Sequence, residues 1–216
     1  MTTLRRSVPH PIELESYRII DERVDLSHLG PGSRAVVTRV IHASADPEYA
    51  ATMVVEEGAV AAGVAAIRAG APVVVDVEMV RHGITGIDAT CHLDRIEASA
   101  PDGRTRTARA MASAARRHPT GAVMAVGCAP TALFELVRMA QEDGFDPALV
   151  IGLPVGFVGA AEAKEAARAG PVSSITNVGD KGGSAVTAAA VNALVRLALD
   201  PSFRPADHPT DGTRGA

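Results

Sequence analysis

The 216-residue chain has a formal net charge of −4, is 47% hydrophobic and 21% charged, and holds 40 alanines, 20 glycines and six aromatic residues. That balance describes one globular domain with a sizeable core, and it excludes collagen, coiled coil, wholesale disorder and a site built mainly on aromatic stacking. An acidic chain whose longest basic cluster is Arg116-Arg117-His118 is a poor nucleic-acid binder, and two cysteines without Cys-x-x-Cys spacing suggest neither a disulfide framework nor a zinc site.

Met1–Pro9 is short and polar, and is expected to be a tail (residues 1–9) ahead of a domain over residues 10–200. The start has arginines but no apolar run behind them, so no secretory signal is expected. No stretch reaches the roughly 18 apolar residues of a membrane span. With both thiols taken as reduced, the chain is placed in the cytoplasm. Ile12–Ile20 has apolar residues at helical spacing, and Val36, Val37, Val40 and Ile41 mark a second helix face. Pro47-Glu48 predicts the opening of a long alanine-rich helix, Tyr49 to Ala69, closed by Gly70.

The rhythm then changes. Val73-Val74-Val75, between Pro72 and Asp76, is a branched run bounded by turn formers and predicts a buried strand. Ala122–Val126 and Ala148–Ile151 are two more, with weaker strands at Thr90–Ile96 and Ser173–Thr176. Helices are predicted at Thr107–Arg117, Thr131–Glu142, Ala160–Ala169 and Ser184–Leu199. Strand and helix in alternation predict an α/β domain: a mostly parallel sheet with helices on both faces in Rossmann-like layers, behind a helical N-terminal segment. In such sheets ligands sit beyond the carboxyl ends of the strands, here the loops after Val75, Val126, Ile151 and Thr176. From Pro201 the chain is rich in Pro, Gly and charge, so residues 201–216 are expected to be a solvated tail.

Several clusters could carry chemistry. Gly152-x-x-x-Gly156-x-x-Gly159 is not the G-x-G-x-x-G of dinucleotide binding, and can equally be a turn that needs close backbone approach. Lys181-Gly182-Gly183-Ser184 is not a P-loop, because the lysine precedes the glycines. Glycines at a helix start still expose backbone N–H groups to an anion, and Ser184 as a plain N-cap is the alternative. Arg39 and His42 are three apart on one helix face. An imidazole can give or take a proton near neutrality, and a guanidinium can grip a carboxylate. A helix-terminal His favoured by the dipole is the bland reading. Glu78 and His82 could form an acid–base pair or a salt-bridged exposed face. Arg104-Thr105-Arg106 could cradle anions, whereas Arg116 and Arg117 suit a helix C-terminus. No pair of the seven histidines has a familiar metal-ligand spacing.

Six motifs in order carry a resemblance. They are Ile12-Glu-Leu-Glu-Ser16-Tyr17, Arg39-Val-Ile-His42-Ala, Asp76-Val-Glu-Met-Val-Arg-His-Gly-Ile-Thr85, Ala129-Pro-Thr-Ala-Leu-Phe134, Gly152-Leu-Pro-Val-Gly-Phe-Val-Gly-Ala-Ala-Glu162-Ala-Lys164 and Lys181-Gly-Gly-Ser-Ala185. Over roughly residues 10 to 200 the chain closely resembles the precorrin-8X methylmutases and their cobalt-precorrin-8 counterparts. The resemblance implies an isomerase of cobalamin biosynthesis that moves a methyl group from C-11 to C-12 of a tetrapyrrole by a sigmatropic shift. It implies no nucleotide, metal or redox cofactor, and a homodimer with sites near the dimer interface. His42 then matches the proton donor and acceptor. Ser16, Arg39, Thr85, Arg106, Gly182, Gly183 and Ser184 match substrate-binding positions.

The chain departs from the family pattern at Cys128 and Arg104, where Asn is common, and at Val178 and Asp180, where Arg is common. The lost cations should weaken carboxylate binding in that loop, with Arg104 compensating from another. The departures also motivate an alternative, a tetrapyrrole carrier that kept the fold and lost the reaction.

Overall fold

The structure, a computed structural model, describes residues 4–5, 10–97, 102–201 and 203. His10 accepts the Ile12 N–H and Pro11 sets the first turn, so helix α1 runs Pro11–Arg23. Helix α2, Pro31–Ser44, again starts on a proline. It ends at Ala45, whose left-handed conformation (φ +52°) turns the chain toward Asp46.

The next segment departs from the expected long helix. Helix α3 lasts only Tyr49–Thr52; strand β1, Met53–Val55, follows; helix α4 occupies Glu57–Arg68. Helical propensity loses here to tertiary pairing. Met53, Val54 and Val55 lie antiparallel to Asn177, Thr176 and Ile175 and close one edge of the sheet.

The rest follows the predicted alternation. Strand β2 (Val73–Val75) leads to α5 (Glu78–Gly83) and β3 (Ala89–Cys91). The expected strand over Thr90–Ile96 therefore stops at Cys91, and Leu93–Arg95 forms a turn of 3-10 helix. Then come α6 (Arg106–Arg117), β4 (Val123–Val126), α7 (Pro130–Glu142), β5 (Leu149–Gly152), α8 (Ala160–Ala169), β6 (Ser174–Asn177) and α9 (Ser184–Leu199). The sheet order is β1-β6-β5-β4-β2-β3, parallel throughout except for β1.

The pleat divides the core into two. Val73, Val75, Val123, Ala125, Leu149, Ile151 and Ile175 face α2, α4 and α9, while Val74, Met124, Val126 and Val150 face α6, α7 and α8. Asp76, fully buried at the end of β2, ties the first layer's loops together. Its carboxylate accepts the N–H groups of Gly127 (3.0 Å), Cys128 (2.8 Å) and Ala129 (3.1 Å). Backbone thus sets this turn, which leaves the exposed Cys128 side chain without a part in it.

Phe203 departs from the expected solvated tail, since its ring is buried in the first core; Pro201 is exposed, and residues 204–216 lie outside those described, as do 1–3 and 6–9 of the N-terminal tail.

Helix α9 sits unusually close to its neighbours. A Cβ on Gly83 would fall 2.8 Å from the Ala188 methyl, and one on Gly127 would fall 2.7 Å from Thr187 Oγ1. Gly83→Ala is expected to lower stability by about 1–3 kcal/mol, the overlap outweighing the better helix propensity of alanine. The double variant with Ala188→Gly should recover most of that loss in urea unfolding. A single variant as stable as the parent would show that the helices separate freely.

Candidate active site

Three helices build a polar cluster at one side of the first layer. Ser16 and Tyr17 come from α1, Arg39 and His42 from α2, and Arg196 from α9. Ser16 Oγ lies 2.7 Å from His42 Nδ1. The His42 ring is half-buried, with the Tyr17 ring edge-on against it at 5.2 Å between centroids. With Nδ1 engaged, Nε2 is the nitrogen left for a ligand.

Glu13, which sequence reasoning passed over, is the centre of the cluster. Its Oε1 accepts the Tyr17 hydroxyl at 2.6 Å, Arg196 at 2.9 Å and Arg39 at similarly close range. Arg39 also donates to the Tyr17 oxygen at 2.8 Å. Phe203 backs the cluster, 6.5 Å from the Tyr17 ring and with the Arg196 guanidinium 4.9 Å from its own centroid. The i, i+4 spacing of Glu13 and Tyr17 was the available signal. Arg39 is therefore not the free carboxylate grip its sequence position suggests; it is engaged within the chain.

These contacts set proton affinities. Burial opposes charge on Glu13, but the Tyr17 hydrogen bond and the two arginines outweigh it, and the carboxyl titrates below its usual value. Burial pushes the Tyr17 phenol up to about 12, so it stays a donor. Burial and then the Arg39 charge hold the His42 imidazole below its ordinary 6.5; Glu13 opposes that shift and Arg196 adds to it. At neutral pH the ring is mostly uncharged.

The glycine loops pack against each other at the carboxyl end of the sheet. Gly183 N–H donates to the Leu153 carbonyl at 2.8 Å, and Gly156 N–H donates to that of Asp180 at 3.1 Å. A Cβ on Gly182 would lie 2.2 Å from the Leu153 oxygen, so only glycine fits there. The N-cap of α9 is Gly183 (φ +125°), with no side-chain cap, and Ser184 begins the helix rather than capping it. Beneath the loop lies Lys164, fully buried on α8. Its Nζ donates to Lys181 O (2.7 Å) and Asn177 Oδ1 (3.1 Å), and Asn177 Nδ2 donates to the same Lys181 carbonyl. Burial pushes the amine down to about 8, with the Asp180 charge opposing. Asp180, one of the departures, thus helps to keep a buried lysine charged. The Lys181 ammonium in turn bonds Asp46 and Glu48, both at 2.6 Å, which joins the loop to the end of α2.

Other candidates lie elsewhere. The Thr85 N–H bonds Asn192 on α9. Arg106 opens α6, on the opposite side of the sheet from His42, and donates to the Ile96 carbonyl. Arg104 does not compensate for lost cations, because its guanidinium is taken by Asp102 and Glu135. Glu78 and His82 lie at the surface: the Glu78 carboxylate pairs with Arg81, and His82 Nδ1 lies 2.8 Å from the Glu78 backbone carbonyl. Among the described residues no three His, Cys, Asp or Glu side chains gather where they could hold a metal ion, and no helix is long and apolar enough to cross a membrane.

Comparison with known proteins agrees across the chain. The family model described as precorrin-8X methylmutase matches residues 11–197. The cobalt-precorrin-8 methylmutase of Priestia megaterium is 42% identical over 199 residues, 88% of each chain. The precorrin-8X methylmutase of a Sinorhizobium species is 40% identical over 196 residues, 85% of this chain and 92% of that one. The crystal structure of the Thermus thermophilus precorrin-8X methylmutase superposes with a TM-score of 0.79 at 41% identity, covering 90% of this chain and all of the other.

The buried lysine gives a test of how the glycine loop is held. Lys164→Met leaves the Asn177 and Lys181 oxygens one donor short and is expected to cost roughly 2–4 kcal/mol. Hydrogen exchange of the amides at residues 178–183 should accelerate. Unchanged exchange there would assign the support of the loop to other contacts.

Proposed function

We propose that this chain, which belongs to the precorrin-8X methylmutase family, moves a methyl group from C-11 to C-12 of a precorrin-8 macrocycle, with or without cobalt in the ring. The family is one of isomerases acting in cobalamin biosynthesis. The observation that carries the reading for this chain is the Ser16–His42 pair, set on two helices that the family model covers.

In this reading His42 is the catalytic acid and base. Ser16 fixes its Nδ1, and Nε2 lends a proton to the macrocycle, which favours the tautomer in which the methyl group can migrate. The same nitrogen recovers the proton afterward, so substrate and product have the same atoms and no co-reactant is consumed. The acetate and propionate groups of the substrate are anions. The uncapped first turn of α9, with Gly182, Gly183 and Ser184, presents the positive end of a sixteen-residue helix to them. Ser16, Thr85, Arg39 and Arg106 complete the proposed contacts, with Arg39 acting as a fixed charge rather than a free fork.

The reading includes a cytoplasmic homodimer. Supporting a second copy are Phe157 and Val158, 95% and 89% exposed beside the glycine loops, and Arg106, which within one chain stands across the sheet from His42. Against the carrier alternative stands the intact proton-handling pair, which a carrier does not need.

Sub-stoichiometric protein should convert precorrin-8X or cobalt-precorrin-8 completely, as followed in the visible spectrum; a spectral change that stops at one equivalent would identify a carrier. His42→Ala should retain binding and lose conversion by about 100-fold or more. The pH dependence has a definite sign: the imidazole must be protonated to donate and titrates below its ordinary value, so the rate falls as pH rises through that lowered midpoint. A rate that climbs with pH would reverse the assigned role.

A further inference from the structure

We propose that Glu13 is a positioning residue for His42: its carboxylate gathers Tyr17, Arg39 and Arg196 into one cluster and sets the orientation and charge environment of the imidazole. The inference deepens the reading above and rests on His42 as the proton-transferring group.

The geometry is a convergence. One carboxylate oxygen receives donors from α1, α2 and α9, the three helices whose packing encloses the site. Tyr17, held by Glu13 and by Arg39, is the residue whose ring edge meets His42. Ser16, bonded to Nδ1, is its neighbour on α1, so the register of α1 against α2 fixes both contacts to the ring. Glu13 is where α1 is fastened to the other two helices at this end.

Charge supplies the second argument. Arg39 and Arg196 both act against a proton on the imidazole, and Glu13 acts for one. The other charges packed around α2 are engaged elsewhere. Glu57 of α4 accepts the N–H groups of Gly32 and Ser33 at the far end of α2, and Arg68 of α4 bonds the Leu197 and Ala198 carbonyls. Arg34 pairs with Asp21, and Asp46 and Glu48 pair with Lys181. Strand β1, Met53–Val55, carries no charge. Without Glu13, two guanidinium charges would face the ring uncompensated.

The test is the titration of His42 in isotope-labelled full-length protein, followed by NMR and assigned by its disappearance in His42→Gln. Glu13→Gln keeps the size and an acceptor oxygen but removes the charge, and should lower the midpoint by about half a pH unit or more. Arg196→Gln leaves Glu13 facing Arg39 alone and should raise it, and this second variant serves if the first does not fold. The double variant should lie between the two. Opposite shifts support the proposal; a midpoint that moves in neither variant, or in the same direction in both, overturns it. The pH dependence of precorrin-8X conversion separates the two readings. A profile that follows the NMR midpoint supports both. A profile that stays fixed while the midpoint moves leaves Glu13 acting on the imidazole and overturns the role of His42 in proton transfer.

Discussion

Helix α9 can sit where it does because glycines and alanines meet along its faces. Gly83 and Gly127 each stand where a Cβ would fall within 3.0 Å of a residue on α9, and Gly63 stands where one would meet Leu194 at 3.0 Å and the core side of β5 closer still. The helix answers with Ala188, Ala189, Ala190 and Ala193, all buried. This close seating fixes α9 against α4, α5 and the loop after β4, and with it the place from which Arg196 reaches Glu13. It also fixes the start of α9, where the glycine loop meets the loop after β5. The two ends of one helix therefore bear on two chemically different parts of the candidate site: an N-terminus without a side-chain cap, and an arginine in the cluster beside the His42 ring.

The charges near the site are almost all matched internally. Arg39 and Arg196 share Glu13, and Lys181 bridges Asp46 and Glu48. Pairs that are partly shielded hold side chains in fixed geometry more than they add net stability. The consequence is preorganisation: the donors and dipoles around His42 are in place before a ligand arrives, where a flexible rim of free cations would have to be ordered on binding.

Much of this was legible in one dimension. Branched runs between turn formers located β2, β4 and β5, since a strand buried on both faces needs no alternation. Ala160–Ala169 and Ser184–Leu199 were bounded correctly because glycine or a polar residue marks each end. The Arg39–His42 spacing was readable because both lie on one helix. The region Tyr49–Ala69 reads as one helix in sequence, because Met53–Val55 is a strand only by virtue of β6, which lies more than a hundred residues away. Glu13 is legible only in its i, i+4 spacing to Tyr17; Arg39 and Arg196 reach it from two other helices, and no spacing rule spans them.

The sequence by itself determined the alternation of strand and helix, the small-residue faces, the glycine turns and the placing of Arg39 and His42 on one helix, because these depend on local periodicity, backbone freedom and motif order. Tertiary structure alone decided which charges are free. An arginine reads the same in sequence whether it faces a ligand or a glutamate. Only the packing of α1 against α2 and α9 placed Glu13 within reach of both Arg39 and Arg196, and only the fold put Arg106 across the sheet from the ring it was expected to accompany.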